Sequence, residues 1–233
     1  MNINIQPIGT IHTPYIEKFA IPRQPGLAKS AEGKIIFFEA FNDPNYLRGI
    51  EQFSHLWLHF HFHQTAGKGH SPLVRPPRLG GNQKMGVFAT RSTFRPNGMG
   101  MSVVEFVAVS YQKKQLILTV KGMDLLDGTP ILDIKPYLPF ADSIPQASGG
   151  IAQDSPELMA VTFTEQANAQ LNMLKQRYPA LGSLIREVLS QDPRPAYHQN
   201  VHLDRIYGMT LFDLNIQWQV INRQNVVLTI HSN

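Results

Sequence analysis

Two arginines bracket a phenylalanine in FATRSTFRPN, where Arg91 and Arg95 flank Phe94. A guanidinium presents a fork of donors that matches phosphate or carboxylate, and an aromatic ring offers a face on which a base can stack. The segment from Arg75 to Ser102, RPPRLGGNQKMGVFATRSTFRPNGMGMS, adds Arg75, Arg78 and Lys84, a Gly-Gly and a second stacking candidate, Phe88. Proline fixes φ and glycine relaxes it, so such a loop is stiff in places and elsewhere lets its backbone approach a ligand. No Asp or Glu lies between Glu51 and Glu105, whereas that stretch holds six Lys and Arg and five histidines. The rest of the chain sets 17 acidic side chains against the remaining 15 of its 21 basic ones, so the formal charge of +4 comes from one cationic segment on a mildly acidic body. A polyanionic ligand is expected there.

Two other groups of residues could do chemistry. In HLWLHFHFHQ, strand alternation puts His55, Trp57, His59, His61 and His63 on one face and Leu56, Leu58, Phe60 and Phe62 on the other. Imidazoles at i, i+2 and i+4 could ligate zinc or iron, although no carboxylate neighbour is present in the acid-free block. In KGMDLLDGTPILDIKPYLPFADS, Asp124, Asp127, Asp133 and Asp142 recur with Lys135 and Tyr137. One of these acids could accept a ribose hydroxyl or face a ligand's positive charge, whereas Asp127, followed by Gly128, reads as a turn residue. QDPRPAY, Gln191 to Tyr197, is a second stiff loop that carries an arginine, Arg194.

Several classes are excluded or disfavoured. With no cysteine there is no disulfide, thiolate ligand or cysteine nucleophile, which suits a reducing compartment. Neither a G-x-G-x-x-G after a strand nor a P-loop occurs, so a dinucleotide fold and a Rossmann-type methyltransferase are disfavoured. The N-terminus lacks a signal-peptide layout and no run of about 18 apolar residues occurs, so a cytoplasmic, soluble protein is expected.

Short apolar runs separated by turn residues predict a mainly β fold, an antiparallel barrel over roughly the first 140 positions. The expected strands are INIQPIGTI, KIIFF, LWLHFHF, MGVFAT, SVVEFVAV and QLILTVKG, with LLDGTPILDI continuing the last hairpin through Asp127-Gly128. The run ADSIPQASGGIAQDSPE reads as a linker, giving domains over 1–144 and 155–233 joined at about 145–154. The second is expected to be small and α+β. One helix runs from Thr164 as cap to Pro179 as stop, a second carries Leu184, Ile185, Val188 and Leu189 on one face, and a terminal hairpin turns at Asn222 to Asn225.

Beyond these readings, IGTIHTPY, FAIPRQPGLAKS, FSHLWLHFHFHQT, VRPPRLGGNQKMGVFATRSTFRPN, DLLDGTPILDIKPYLPFADS and QDPRPAY resemble the YaeB/TsaA-like family, tRNA methyltransferase O, in order from Ile8 to Tyr197. The resemblance implies methylation of N6 of N6-threonylcarbamoyladenosine beside the anticodon of threonine tRNA. It also implies a barrel that binds S-adenosylmethionine without a Rossmann fold, a homodimer with the cofactor near the subunit interface, and no metal. Carried onto matching motifs, the cofactor contacts are Pro25, Gly26, Leu27, His63, Gln64, Arg91, Met101, Lys121, Gly122, Met123 and Asp124. His59 and His61 lie outside the family motif. The chain reads RPNGMG where the family has RPNPIG, so Gly98 and Met99 depart from it and a looser turn is expected.

For the implied reaction, Asp133 or Tyr137 is the candidate to receive the N6 proton, and Lys135 or Arg91 the candidate to polarise the ureido carbonyl or pair with the threonyl carboxylate. The backbone of the anticodon stem-loop would lie along Arg75, Arg78, Lys84 and Arg95, with Arg194 on the second domain. Two other classes compete: a non-catalytic RNA-binding barrel and a histidine-ligated metalloenzyme.

Overall fold

The computed structural model describes residues 3–79, 82–194 and 205–232. In chain order the elements are β1 (Gly9–His12), β2 (Glu32–Phe37), β3 (His55–His61), α1 (His63–Ala66), β4 (Leu73–Val74), β5 (Met85–Gly86), β6 (Met99–Gln112), β7 (Gln115–Lys121), β8 (Thr129–Pro136) and α2 (Pro139–Asp142). There follow β9 (Val161–Phe163), α3 (Glu165–Leu174), α4 (Leu181–Ser190), β10 (Ile206–Leu211), β11 (Leu214–Ile221) and β12 (Gln224–Ser232). The chain forms two compact units: residues 1–12, 33–120 and 128–155, and residues 13–32, 121–127 and 156–233.

The first unit is built on a closed barrel of order β1-β2-β7-β6-β3-β8, as the mainly β reading expects. Alternation builds its interior: Leu56, Leu58 and Phe60 of β3 and Leu116, Leu118 and Val120 of β7 are buried, whereas Trp57 and His59 between the β3 residues are not. Closure leaves no sheet edge to pair with a stranger.

Three expected strands differ. Of INIQPIGTI only Gly9, Thr10 and Ile11 are strand, in β1, because its pairing with β2 ends at Phe37, and Ile3 and Ile5 are exposed. MGVFAT contributes just Met85–Gly86, paired with Leu73–Val74, before a 3-10 turn buries Val87. LLDGTPILDI does not continue the hairpin of β7: β8 pairs with β1 and β3 instead. The reason lies in Asp127 and its neighbours. Asp127 accepts from the Thr13 N–H at 2.9 Å and donates its own N–H to the Tyr15 carbonyl, so the chain is turned away from β7 before β8 begins.

In the second unit, a four-stranded sheet of order β10-β11-β12-β9, with β9 parallel to β12, accompanies α3 and α4. Thr164 caps α3 by accepting from the Ala167 N–H at 3.1 Å. Leu184, Ile185, Val188 and Leu189 of α4 are buried on one face. The terminal hairpin is part of a three-stranded meander, turned at Asn222 and Arg223 with φ of 49° and 61°.

Candidate active site

In the barrel unit, β3 lies between β6 and β8, and its outer face gathers the residues expected to act on substrate. Cross-strand partners share a face. His59 pairs with Met101 on one side and Asp133 on the other; Trp57 pairs with Val103 and Lys135. Tyr137 follows, its N–H bonded to the His55 carbonyl at 3.0 Å and its ring 5.8 Å from Trp57 and 6.3 Å from His55. The face therefore carries an aromatic group, a carboxylate, an ammonium and Met101.

Asp133 faces outward only because β8 carries a bulge. Phe60 pairs with Ile131 while His59 pairs with Asp133, so Leu132 is an extra residue in the ladder. In a regular strand that kept Leu132, alternation from buried Ile131 would turn both Asp133 and Lys135 into the barrel. As built, the two carboxylate and ammonium groups lie 3.8 Å apart and are 56% and 64% exposed. Sequence reasoning left Trp57 out of the site. Its indole donates to Asp142 Oδ2 at 3.0 Å, and the same oxygen accepts from the Leu138 N–H, which ties α2 to this face. Alternation in HLWLHFHFHQ is the signal that would have found it.

The cationic segment surrounds α1 in the same unit. Arg75, Lys84 and Arg91 are exposed, as are Phe88 and Phe94. Arg95 donates to the Thr90 and Ser92 carbonyls, and Arg78 to the Asp154 carbonyl at 2.8 Å; neither contact neutralises a charge. His63 and Gln64 open α1, and His61, His70, Thr93, Arg95, Asn97 and Gly98 line a recess beside it. Gly98 lies at φ +57° with its N–H on the Arg95 carbonyl and its carbonyl accepting from Phe62 at 2.7 Å. Proline can neither reach that φ nor make the first bond, so the departure from RPNPIG is a differently closed turn, hydrogen-bonded at both ends. Among the described residues no group of three or more His, Asp or Glu could hold a metal ion.

In the second unit, Pro25, Gly26 and Leu27 meet the segment Lys121 to Asp124. The Gly26 N–H donates to the Gly122 carbonyl at 2.8 Å, and the Gly122 N–H to the Ala31 carbonyl at 3.1 Å. A Cβ added at Gly26 would point into open space, whereas one at Gly122 would touch Gly26 Cα at 3.6 Å. Exposed Gly26 thus presents bare backbone, with buried Gly122 packed behind it. With Lys121 for a carboxylate and Asp124 for an ammonium or a ribose diol, these donor and acceptor types suit S-adenosylmethionine. Met123 lies underneath, fully buried. Nearby Tyr15 is also buried, which raises its hydroxyl well above the usual phenol range, and Glu187 and Asp124 push the same way. Arg194 is 7% exposed and paired with both Asp192 oxygens at 2.7 and 2.8 Å, so it orders the end of α4. The rest of QDPRPAY, residues 195–197, lies outside the described residues.

Two family models match: the tRNA-methyltransferase O N-terminal domain over residues 10–143 and the corresponding C-terminal domain over 156–233. The chain is 54% identical over 220 residues to a protein of Escherichia coli (strain K12) named tRNA (adenine(37)-N6)-methyltransferase, covering 94% of each. It is 48% identical over 219 residues to a Pseudomonas aeruginosa protein named putative S-adenosylmethionine-dependent methyltransferase RcsF, covering 94% of this chain and 93% of that one. A crystal structure of TrmO from Pseudomonas aeruginosa superposes with a TM-score of 0.84 at 40% identity, covering 100% of this chain and 99% of that chain. On the matched domains, the identity over 94% of the chain and the shared fold, the chain belongs to the tRNA methyltransferase O family.

Proposed function

We propose that the protein methylates N6 of N6-threonylcarbamoyladenosine at position 37 of threonine tRNA, yielding N6-methyl-N6-threonylcarbamoyladenosine. The enzyme class, an S-adenosylmethionine-dependent tRNA (adenine-N6)-methyltransferase, rests on the family and on its relatives' names. The observation that carries the reading to this acceptor is the outer barrel face, where Asp133, Lys135 and Tyr137 stand beside Trp57 and His59.

When bound, S-adenosylmethionine supplies an electrophilic methyl carbon. Pro25, Gly26, Leu27, Lys121, Gly122, Met123 and Asp124 are proposed to hold it, as are His63, Gln64, Arg91 and Met101. The nitrogen attacked is a ureido N6 whose lone pair is delocalised, so the protein must accept the proton that leaves. Asp133 is the proposed acceptor, with Tyr137 as the alternative. Lys135 or Arg91 polarises the ureido carbonyl or pairs with the threonyl carboxylate. Tyr137 and Trp57 provide an aromatic face for the base.

Arg75, Arg78, Lys84 and Arg95 are proposed to run along the phosphates of the anticodon stem-loop. Arg194, already paired with Asp192, would act there only through the loop it orders. A homodimer is supported by alternate exposed apolar positions of β6, namely Met101, Val107, Val109 and Tyr111, and by Phe140, which is 89% exposed. No helix among the described residues is long and apolar enough to cross a membrane, and a tRNA substrate supports a cytoplasmic location. Residues 1–144 and 155–233 are proposed as the cofactor-binding barrel and an accessory domain.

The test is to incubate the protein with S-adenosylmethionine and bulk tRNA from cells lacking this methylation, then digest to nucleosides for mass spectrometry. Methylated threonylcarbamoyladenosine should appear only when enzyme and donor are both present. Cofactor binding without that product would discard this acceptor.

A further inference from the structure

The segment from Arg23 to Ser30 has no strand or helix of its own. Its internal order rests on Gly26 bonded to Gly122 and on a turn from Ala28 to Ala31. Further polar anchors come from the end of α4 and the two residues after it. Glu187 receives two hydrogen bonds from one residue: its Oε2 accepts from the Ser30 N–H at 2.9 Å and its Oε1 from the Ser30 hydroxyl at 3.0 Å. Gln191 accepts from the Arg23 N–H at 3.3 Å and donates to the Leu27 carbonyl at 3.4 Å and the Glu187 carbonyl at 2.9 Å. The Asp192 carbonyl accepts from the Arg23 guanidinium at 3.0 Å.

Glu187 and Gln191 are i and i+4, so they occupy one stripe of the helix, beside the buried stripe of Leu184, Ile185 and Val188. Gln191 is only 6% exposed. Burying an amide is unfavourable unless it is hydrogen-bonded, and here two of its three bonds go to the loop. A carboxylate that accepts from an N–H and an O–H of the same residue also leaves that residue little freedom. The loop's conformation is therefore imposed largely by side chains of α4.

We infer that Glu187 and Gln191 are positioning residues that hold the Pro25–Leu27 loop in its cofactor-binding conformation, so that α4 sets the affinity for S-adenosylmethionine without touching it. This rests on the reading of Pro25, Gly26 and Leu27 as cofactor contacts. A loop ordered in advance does not lose that freedom on binding, and the ordering appears as affinity.

The experiment titrates S-adenosylmethionine calorimetrically into the full-length protein and into Glu187→Ala, Glu187→Gln, Gln191→Ala and Ser30→Ala. It also measures turnover at saturating donor and tryptic cleavage after Arg23 and Lys29 without donor. Glu187→Ala should raise Kd about tenfold, equivalent to ~1.4 kcal/mol, and speed cleavage within the loop. Its kcat at saturating donor and its KM for tRNA should stay within about twofold, a split that general destabilisation would not give. Glu187→Gln, which keeps one acceptor oxygen, should recover part of the affinity. Ser30→Ala, which leaves α4 intact, should move Kd in the same direction by about threefold and decides the matter if Glu187→Ala does not fold. If the wild type binds the donor and the folded variants bind it equally well, the positioning role is refuted and the cofactor reading stands. If the wild type binds no donor, the cofactor reading itself fails, and the positioning role with it.

Discussion

His59 and Asp133 face each other across β3 and β8 on the outside of the barrel, one step beyond the bulged Leu132 that turns Asp133 out of the interior. An outward carboxylate of this kind can take a proton at little cost to the fold. Asp133→Asn should therefore lower kcat by about 10²- to 10⁴-fold, the usual yield of general-base catalysis. Because the residue is exposed, stability should change by no more than about 0.5 kcal/mol. Single-turnover kinetics beside thermal melts would check both, and an unchanged rate would move the role to Tyr137.

Gly122 sits at φ +74° with Gly26 bonded to its carbonyl. A side chain there is strained by about 1–2 kcal/mol through the positive φ alone, since its Cβ would meet Gly26 Cα at an ordinary 3.6 Å. Gly122→Ala should lower Tm and weaken donor binding together, as read by melting curves and calorimetry.

Gly100 pairs with Phe60 on the β6–β3 ladder, and a Cβ would lie 2.5 Å from that ring. Phe60 is 4% exposed and cannot swing away. Overpacking predicts that Gly100→Ala costs about 1–3 kcal/mol in denaturant unfolding.

If Arg75, Lys84 and Arg95 contact phosphates, log Kd for tRNA should depend linearly on log salt. Each alanine substitution should reduce the magnitude of that slope by about 0.7–0.9. Filter binding across a salt series reads this directly, and a slope unchanged in all three variants would remove them from the footprint.

On the second unit, the Tyr178 hydroxyl bonds Asp213 and holds its carboxyl below the usual range, with Arg177 at 2.8 Å adding to the effect. A depressed carboxylate contributes stability at pH values above its unfolded value of about 3.9, and the contribution is lost as pH falls through the lower folded value. Tyr178→Phe should raise the Asp213 pKa in a carboxyl-detected NMR titration and shrink the acid dependence of unfolding below about pH 4.

Much of the barrel was legible locally. Leu56, Leu58 and Phe60 alternate with Trp57 and histidines, so β3 declares which side is buried, whereas Ile117 between Leu116 and Leu118 leaves β7 less explicit. Thr164 and the apolar stripe of α4 marked the two helices in the same way. INIQPIGTI and MGVFAT misled because β propensity says nothing about whether a partner strand is available.

The candidate site divides along the same line. By themselves, the residue order and composition determined the cationic acid-free segment, the β-rich first part, the α+β second part and the family motifs, because these depend on residue type and short-range spacing. Only the tertiary structure decided that β8 lies against β1 and β3, that Leu132 is extra and Asp133 therefore faces outward, that Arg194 is buried against Asp192, and that Glu187 reaches back to Ser30. Apart from the local Arg194–Asp192 pair, each depends on which distant segment supplies the missing hydrogen-bond partner, and alternation along a strand is blind to what lies beside it.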